Sequence, residues 1–368
     1  MKLIFGGLLN TVRQSQFRVE GLNGIRAFAV VAVIAAHAHV SWFGGGGIGV
    51  DMFFTLSGFL ITTLLLRERA ATGRVALGKF WGRRLLRLMP ALLLMLLLVD
   101  AAGLVIGSEL WTNGLAATPS VIFYFANWVA VLGGGSATLG VFAPLWSLSV
   151  EEQFYFAWPL IVMVCASFVR SRRALGIVGA LIAFIAIVNR LVFFDGTDHE
   201  RAFGTDFRLD IILFGALLAI FMDAGGSQTV RRITRFAVIP AVVFLLGVAV
   251  LVPDVHAYGD PAATYLYYAV GLPLIAISTT CLVGFVATHQ GSKLVSILSV
   301  KPFDYLGKIS YGMYLWHFPI MVLVVSALHL EPTLLFATSL VGTVVVASIS
   351  WRFVERPLSK RFHDRLAV

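Results

Sequence analysis

Charge is the scarcest property of this chain: Asp, Glu, Lys and Arg make up only 13% of its 368 residues, against 59% hydrophobic residues. So little polar surface cannot cover a globule in water, and a mean hydropathy of +0.89 agrees. Cysteine is scarcer still. Cys165 and Cys281 both fall within apolar runs, which argues against a disulfide framework. The roughly ten-residue alternation of an outer-membrane barrel is missing. So are internal repeats and any linker beyond GGGG at 44–47 and GGGS at 133–136. No small-residue cleavage site follows the first apolar run, which leads directly into a second, so it does not read as a removed signal peptide. What remains is a succession of apolar runs of about 20 residues. Lipid offers the backbone no hydrogen-bond partners, so such runs must cross as helices. The fold class is therefore all-α, a polytopic membrane protein partnered by the lipid bilayer.

The net charge of +9 raises the question of nucleic acid, but its placement argues against that partner. Arg67, Arg69, Arg74, Lys79, Arg83, Arg84 and Arg87 follow the second run; Arg170, Arg172 and Arg173 follow the fourth; Arg231, Arg232 and Arg235 follow the sixth. The opposite loops hold Glu109, Asp195, Asp198, Glu200, Asp254, Asp260 and Glu331, with Arg201 the main basic exception. By the positive-inside rule the basic loops are cytoplasmic. Length and charge together predict ten spans in the plasma (inner) membrane: 24–43, 49–66, 88–107, 146–169, 174–194, 207–223, 236–252, 264–287, 309–328 and 333–354. Both termini then lie in the cytoplasm. A crossing at 117–133 would turn Arg170, Arg172 and Arg173 outward, so that stretch reads as a re-entrant or surface helix. Residues 1–20 read as a weakly amphipathic surface stretch, and the whole of 1–368 as one membrane domain with no appended soluble domain.

Within the apolar runs a few polar residues stand out. Arg26 and His37 are eleven positions apart in GLNGIRAFAVVAVIAAHAHV, about three helical turns and roughly 16 Å, on one face. Ionisable groups at membrane depth are usually functional, and His37 has the side chain best suited to general-base work near neutral pH. The second span opens with Asp51, and its Ser57 and Gly58 suit close packing or a site equally. In WSLSVEEQFYFAWPL one stripe carries Ser147, Glu151, Tyr155 and Trp158, and its neighbour Ser149 and Glu152. One glutamate is expected to be solvated and the other to point into the bundle. Asp206, Arg208 and Asp210 open the sixth span, either as an ion-pair set or as substrate ligands. Lys79, Arg83 and Arg87, with Arg84 beside them, form either a generic basic turn or a phosphate site. His317 sits among Tyr311, Tyr314 and Trp316, and Glu355 with Arg356 closes the last span; both read first as structural. No metal site is expected.

Taken in order, GLNGIRAFAVVAVIAAH, GVDMFFTLSGFLIT, FWGRRLLRLMPALL, LWSLSVEEQFYFAWPL, FRLDIILFGALLA, ISYGMYLWHFPI and SWRFVERPLSKRF resemble the acyltransferase-3 family of integral membrane O-acyltransferases. The resemblance implies transfer of an acyl group, by default acetyl, from cytoplasmic acyl-CoA (acetyl-CoA) to a carbohydrate acceptor such as a surface polysaccharide or O-antigen unit. It implies that Arg26 and His37 are essential, that Glu151 or Glu152 and the Asp51 region line the reaction cavity, and that Arg83, Arg84 and Arg87 hold CoA phosphates. Lys79 would join that cofactor set, and Ser57, Arg208, Asp210 and His317 the substrate side. Asn23 stands where the family's opening motif has Asp. Two other readings stay open: an acyltransferase for a small molecule such as a macrolide, and a proton-coupled secondary transporter.

Overall fold

A computed structural model describes residues 19–165, 172–252 and 260–358. The expected surface stretch at 1–20 lies almost wholly outside the described residues. Among those residues all regular structure is helical, with no strand. Its helices are α1 (Leu22–His37), α2 (Ile48–Thr72), α3 (Leu77–Ile106), α4 (Glu109–Ile122), α5 (Ala126–Gly133), α6 (Trp146–Val164), α7 (Arg172–Phe193), α8 (Thr205–Phe221), α9 (Ser227–Leu251), α10 (Pro261–Leu266), α11 (Leu272–Thr288), α12 (Lys293–Leu298), α13 (Lys301–Leu328) and α14 (Pro332–Ser350).

Among the described residues, seven helical stretches are long and apolar enough to cross a bilayer: Ser41–Thr72, Leu77–Ile106, Arg172–Phe193, His199–Leu251, Pro261–Thr288, Lys301–Leu328 and Pro332–Leu358. This is fewer than the ten expected, for three physical reasons. The run at 24–43 becomes α1, only 16 residues long. The run at 146–169 becomes α6, whose first half is polar, and it is not among the seven. The runs at 207–223 and 236–252 share one stretch that breaks at Gly225, where φ is 99°, into α8 and α9. Both of those helices pack on α11. The stretch at 117–133 resolves into the end of α4 and the whole of α5, separated at Phe123–Phe125, where Tyr124 takes a left-handed φ of 56°. Neither helix is long enough to span.

Outward faces carry bare apolar side chains, among them Leu97 and Val105 on α3, Phe184 on α7 and Ile239 on α9. Such surfaces suit hydrocarbon rather than water. Inside, small residues set the spacing. A Cβ on Gly58 of α2 would lie 1.8 Å from the Ile212 carbonyl oxygen of α8, and one on Gly215 of α8 would lie 1.9 Å from the Thr55 carbonyl oxygen. The two backbones therefore touch at reciprocal glycines. Gly58→Val should cost about 3 kcal/mol or more, because the obstacle is backbone and cannot swing away. The thermal midpoint in detergent checks this; an unchanged midpoint would mean that α2 and α8 can separate freely.

The bundle has a strongly basic end. There α1, α3 and α13 begin and α2, α11 and α14 finish, as the neighbours Glu68 and Arg83, Gly21 and Val286, Gly24 and Leu298, and Asn23 and Gly307 show. The other end gathers α4, α5 and the 3-10 segment Ser136–Leu145, which dips inward to start α6.

Candidate active site

The site begins where α1 crosses α13. Asn23 donates to Asp304 Oδ1 at 2.8 Å, and one turn on Arg26 donates from Nε to Ser310 Oγ at 3.1 Å. Facing them, α6 presents Ser147, Glu151 and Tyr155 at four-residue intervals, the stripe its periodicity predicts. Together with Ser57, Arg84, Arg87 and Tyr314 these side chains line an interior cavity of about 310 Å³. Glu151 accepts hydrogen bonds from Ser57 Oγ at 3.2 Å and from the Tyr155 hydroxyl at 3.1 Å. At the far end of the cavity the Ser147 hydroxyl meets the Tyr314 hydroxyl at 2.6 Å, and Tyr314 donates to the Pro144 carbonyl at 2.6 Å.

Glu152 is not solvated, contrary to expectation for one of the pair. It turns to Arg84, whose Nη2 and Nε lie 2.9 and 3.1 Å from its Oε1, and the Arg84 guanidinium stacks 3.2 Å from the Tyr155 ring centroid. Both glutamates are therefore held inside, one by hydroxyls in the cavity and one by a cation beside it. The basic turn of α3 splits in consequence. Arg84 and Arg87 face the cavity, whereas Arg83 pairs with Glu68 at 3.6 Å near the surface and Lys79 is exposed. Four cations spread over nine residues of a helix cannot all face one site, and the crossing of α3 with α6 selects Arg84 and Arg87.

Asp51, Arg208 and Asp210 do not line the cavity. Asp51 Oδ1 accepts from Arg208 Nη1 at 3.0 Å, and Asp210 takes a two-pronged contact from Arg190 at 2.7 and 2.9 Å. All four are buried, Arg190 and Asp210 completely. They lock α2, α7 and α8 together, so the structure puts their charge to use in interhelical pairing. Arg190 is absent from the sequence-predicted set. Its signal was an arginine inside the apolar run LGIVGALIAFIAIVNRLVF.

His37 is the last residue of α1 and lies beyond the cavity wall. Its ring packs 5.1 Å from His317 and 5.3 Å from Phe318, and His317 in turn lies 5.4 Å from Tyr314. The buried glutamates meet other partners, Glu151 bonding Ser57 and Tyr155 while Glu152 bonds Arg84. His37 Nδ1 sits 2.9 Å from the Val33 carbonyl oxygen, and His317 Nδ1 sits 2.6 Å from that of Tyr314. A carbonyl only accepts, so each Nδ1 carries a proton and each ring, when neutral, has its lone pair on Nε2. His317 is fully buried, and its Nε2 has no partner among the described residues. Tyr124, unremarked in the sequence, also has a buried hydroxyl with no partner there; burial and the nearby Glu152 push its phenol pKa up. Among the described residues no cluster of three or more His, Cys, Asp or Glu could hold a metal ion.

Comparison with known proteins places this chain in a lineage. The profile of the acyltransferase domain family matches residues 19–352. An O-acetyltransferase OatA of Staphylococcus aureus is 33% identical over 354 residues, covering 93% of this chain and 57% of that protein. The peptidoglycan O-acetyltransferase OatA of Listeria monocytogenes is 34% identical over 361 residues, covering 95% of this chain and 57% of its own length. The chain thus spans somewhat over half the length of these relatives. No solved structure matches. With the family profile running from the first described residue to just past the end of α14, the chain belongs to the acyltransferase-3 family.

Proposed function

We propose that this protein is a membrane O-acetyltransferase that moves an acetyl group from acetyl-CoA, entering at the basic, cytoplasmic end, to a hydroxyl of a cell-wall glycan of the peptidoglycan type. The acceptor differs from the surface polysaccharide or O-antigen unit expected from sequence, because the named acceptor among its relatives is peptidoglycan. The observation that carries the reading is the cavity: it reaches from Asn23 and Arg26 to Tyr314, one ring pair from His37. A donor with a long neutral arm, inserted from the basic end, would bring its thioester toward that ring pair. Arg26, with no ion pair among the described residues, would steady the donor, and Glu151 would balance its charge across the cavity.

In the transfer itself His37 Nε2 takes the proton of the acceptor hydroxyl as its oxygen attacks the thioester carbonyl. The new C–O bond forms, the C–S bond breaks, and the proton passes from the imidazole to the leaving sulfur. The test is release of CoA thiol by the purified protein in nanodiscs, with soluble peptidoglycan fragments as acceptor. Acceptor-dependent release, with acetyl appearing on the fragment as an alkali-labile ester, is the expected result. Acetyl-enzyme accumulating without acceptor would overturn direct transfer, and transport of an unmodified solute without thiol release would overturn the enzyme reading.

A further inference from the structure

The closing motif of the last helix, which the mechanism above does not use, lines a second cavity. This space, of about 300 Å³, lies at the basic end and is bounded by Arg87, Lys308, Arg356, Trp351 and Glu355. It shares Asn23, Arg26, Arg87 and Tyr311 with the first cavity, so the two meet at a common wall.

Four cations surround it: Arg26, Arg87, Lys308 and Arg356. Against them stand Glu355, whose Oε1 is engaged by Ser350 Oγ at 3.2 Å, and Asp304, paired with Lys308 at 2.5 Å. Charge is therefore in excess on the three arginines. Arg87 forms no hydrogen bond or ion pair among the described residues, although it lines both cavities. Arg356 has no ion pair there either and lies over the Trp351 ring at 5.4 Å. Guanidinium groups gathered in excess of their counter-charge beside a bilayer are costly unless water or an anion meets them. Several forks converging on one space suit a ligand with several phosphate oxygens better than a single carboxylate.

We propose that this second cavity holds the phosphate-bearing head of the acyl donor, gripped by Arg356, Lys308 and Arg87, while the neutral arm passes Arg26 and Tyr311 into the first cavity. The inference rests on the acyl-CoA reading above and moves the head away from the basic turn at Lys79 and Arg83. Phosphate oxygens also belong to anionic lipid headgroups, so the test separates the two sources.

The experiment uses the full chain in nanodiscs of zwitterionic lipid and compares two donors: acetyl-CoA, and acetyl-pantetheine, which carries the same thioester and no phosphate. Arg356→Gln and Lys308→Gln should each raise KM for acetyl-CoA about tenfold, the scale of one charge-assisted hydrogen bond. Both should leave kcat, and the kinetics with acetyl-pantetheine, as in the wild type, which also shows that the variants fold. An equal rise for both donors, or no rise for acetyl-CoA, overturns the assignment. Added phosphatidylglycerol that raises the wild-type KM for acetyl-CoA but not that of the variants would give the cavity to lipid headgroups and overturn it as well. A wild type that consumes neither donor would instead overturn the acyl-CoA reading, and the head site with it.

Discussion

His37→Ala should lower acceptor-dependent thiol release by about 10²- to 10⁴-fold, the usual weight of a positioned general base. Its affinity for acetyl-CoA should hardly change. The two outcomes separate because His37 lies outside the cavity that would hold the donor, on the far side of Tyr314 and His317. Thiol-release kinetics and acetyl-CoA binding, measured on the same nanodisc preparation, give both numbers. A kcat within tenfold of the wild type would remove His37 from the proton transfer. A loss confined to donor binding would make it a donor ligand instead. The tautomer sharpens the prediction: with Nδ1 held by the Val33 carbonyl, only Nε2 can take the acceptor's proton, and an amide offers no basic nitrogen there, so His37→Asn should be as inactive as His37→Ala.

The second large effect concerns stability. Asp210→Ala leaves the Arg190 guanidinium fully buried without its carboxylate, which should cost about 3–5 kcal/mol. The paired change Arg190→Met with Asp210→Leu should recover most of that loss, because removing both charges also removes their desolvation penalty. Thermal midpoints in one detergent, read for the single and double variants, check this. The double variant should keep the donor and acceptor KM of the wild type, since neither residue lines the cavity. A stable Asp210→Ala with a raised acceptor KM would restore Asp210 to the substrate site.

Much of this arrangement was legible in the sequence, and the boundary of legibility is physical. Run length and hydropathy specify helices, because lipid leaves the backbone no alternative. The stripe Ser147, Glu151 and Tyr155 follows from helical periodicity within a single element, and all three reach the cavity. Periodicity also placed Arg26 and His37 on one face. It could not show that α1 ends at His37, nor that Tyr314 stands between that ring and the cavity. Partner choice across helices was the hidden part. Whether Arg83 or Arg84 meets Glu152 depends on how α3 crosses α6, and whether Asp51 faces substrate or Arg208 depends on the close glycine contact of α2 with α8. Arg190 was legible by the same scarcity of charge that marked Arg26. What hides it is its position late in an otherwise uniform apolar run, with no second charge at helical spacing within that run.

The two buried ion pairs differ greatly in how far apart their members lie along the chain. Arg190 and Asp210 are separated by 20 residues, Asp51 and Arg208 by 157. The first pair can close as α7 and α8 emerge together, so Arg190 need not enter the bilayer as a lone charge. Asp51 reaches the membrane long before its cation exists: at 5–20 residues per second the delay is roughly 8–30 s. During that interval the nascent α2 carries a lone carboxylate at its start and must keep it at the water boundary or protonated. Insertion of the early helices is therefore provisional, and the arrival of α8, seated glycine against glycine on α2, is the event that commits the bundle to its final depth and order.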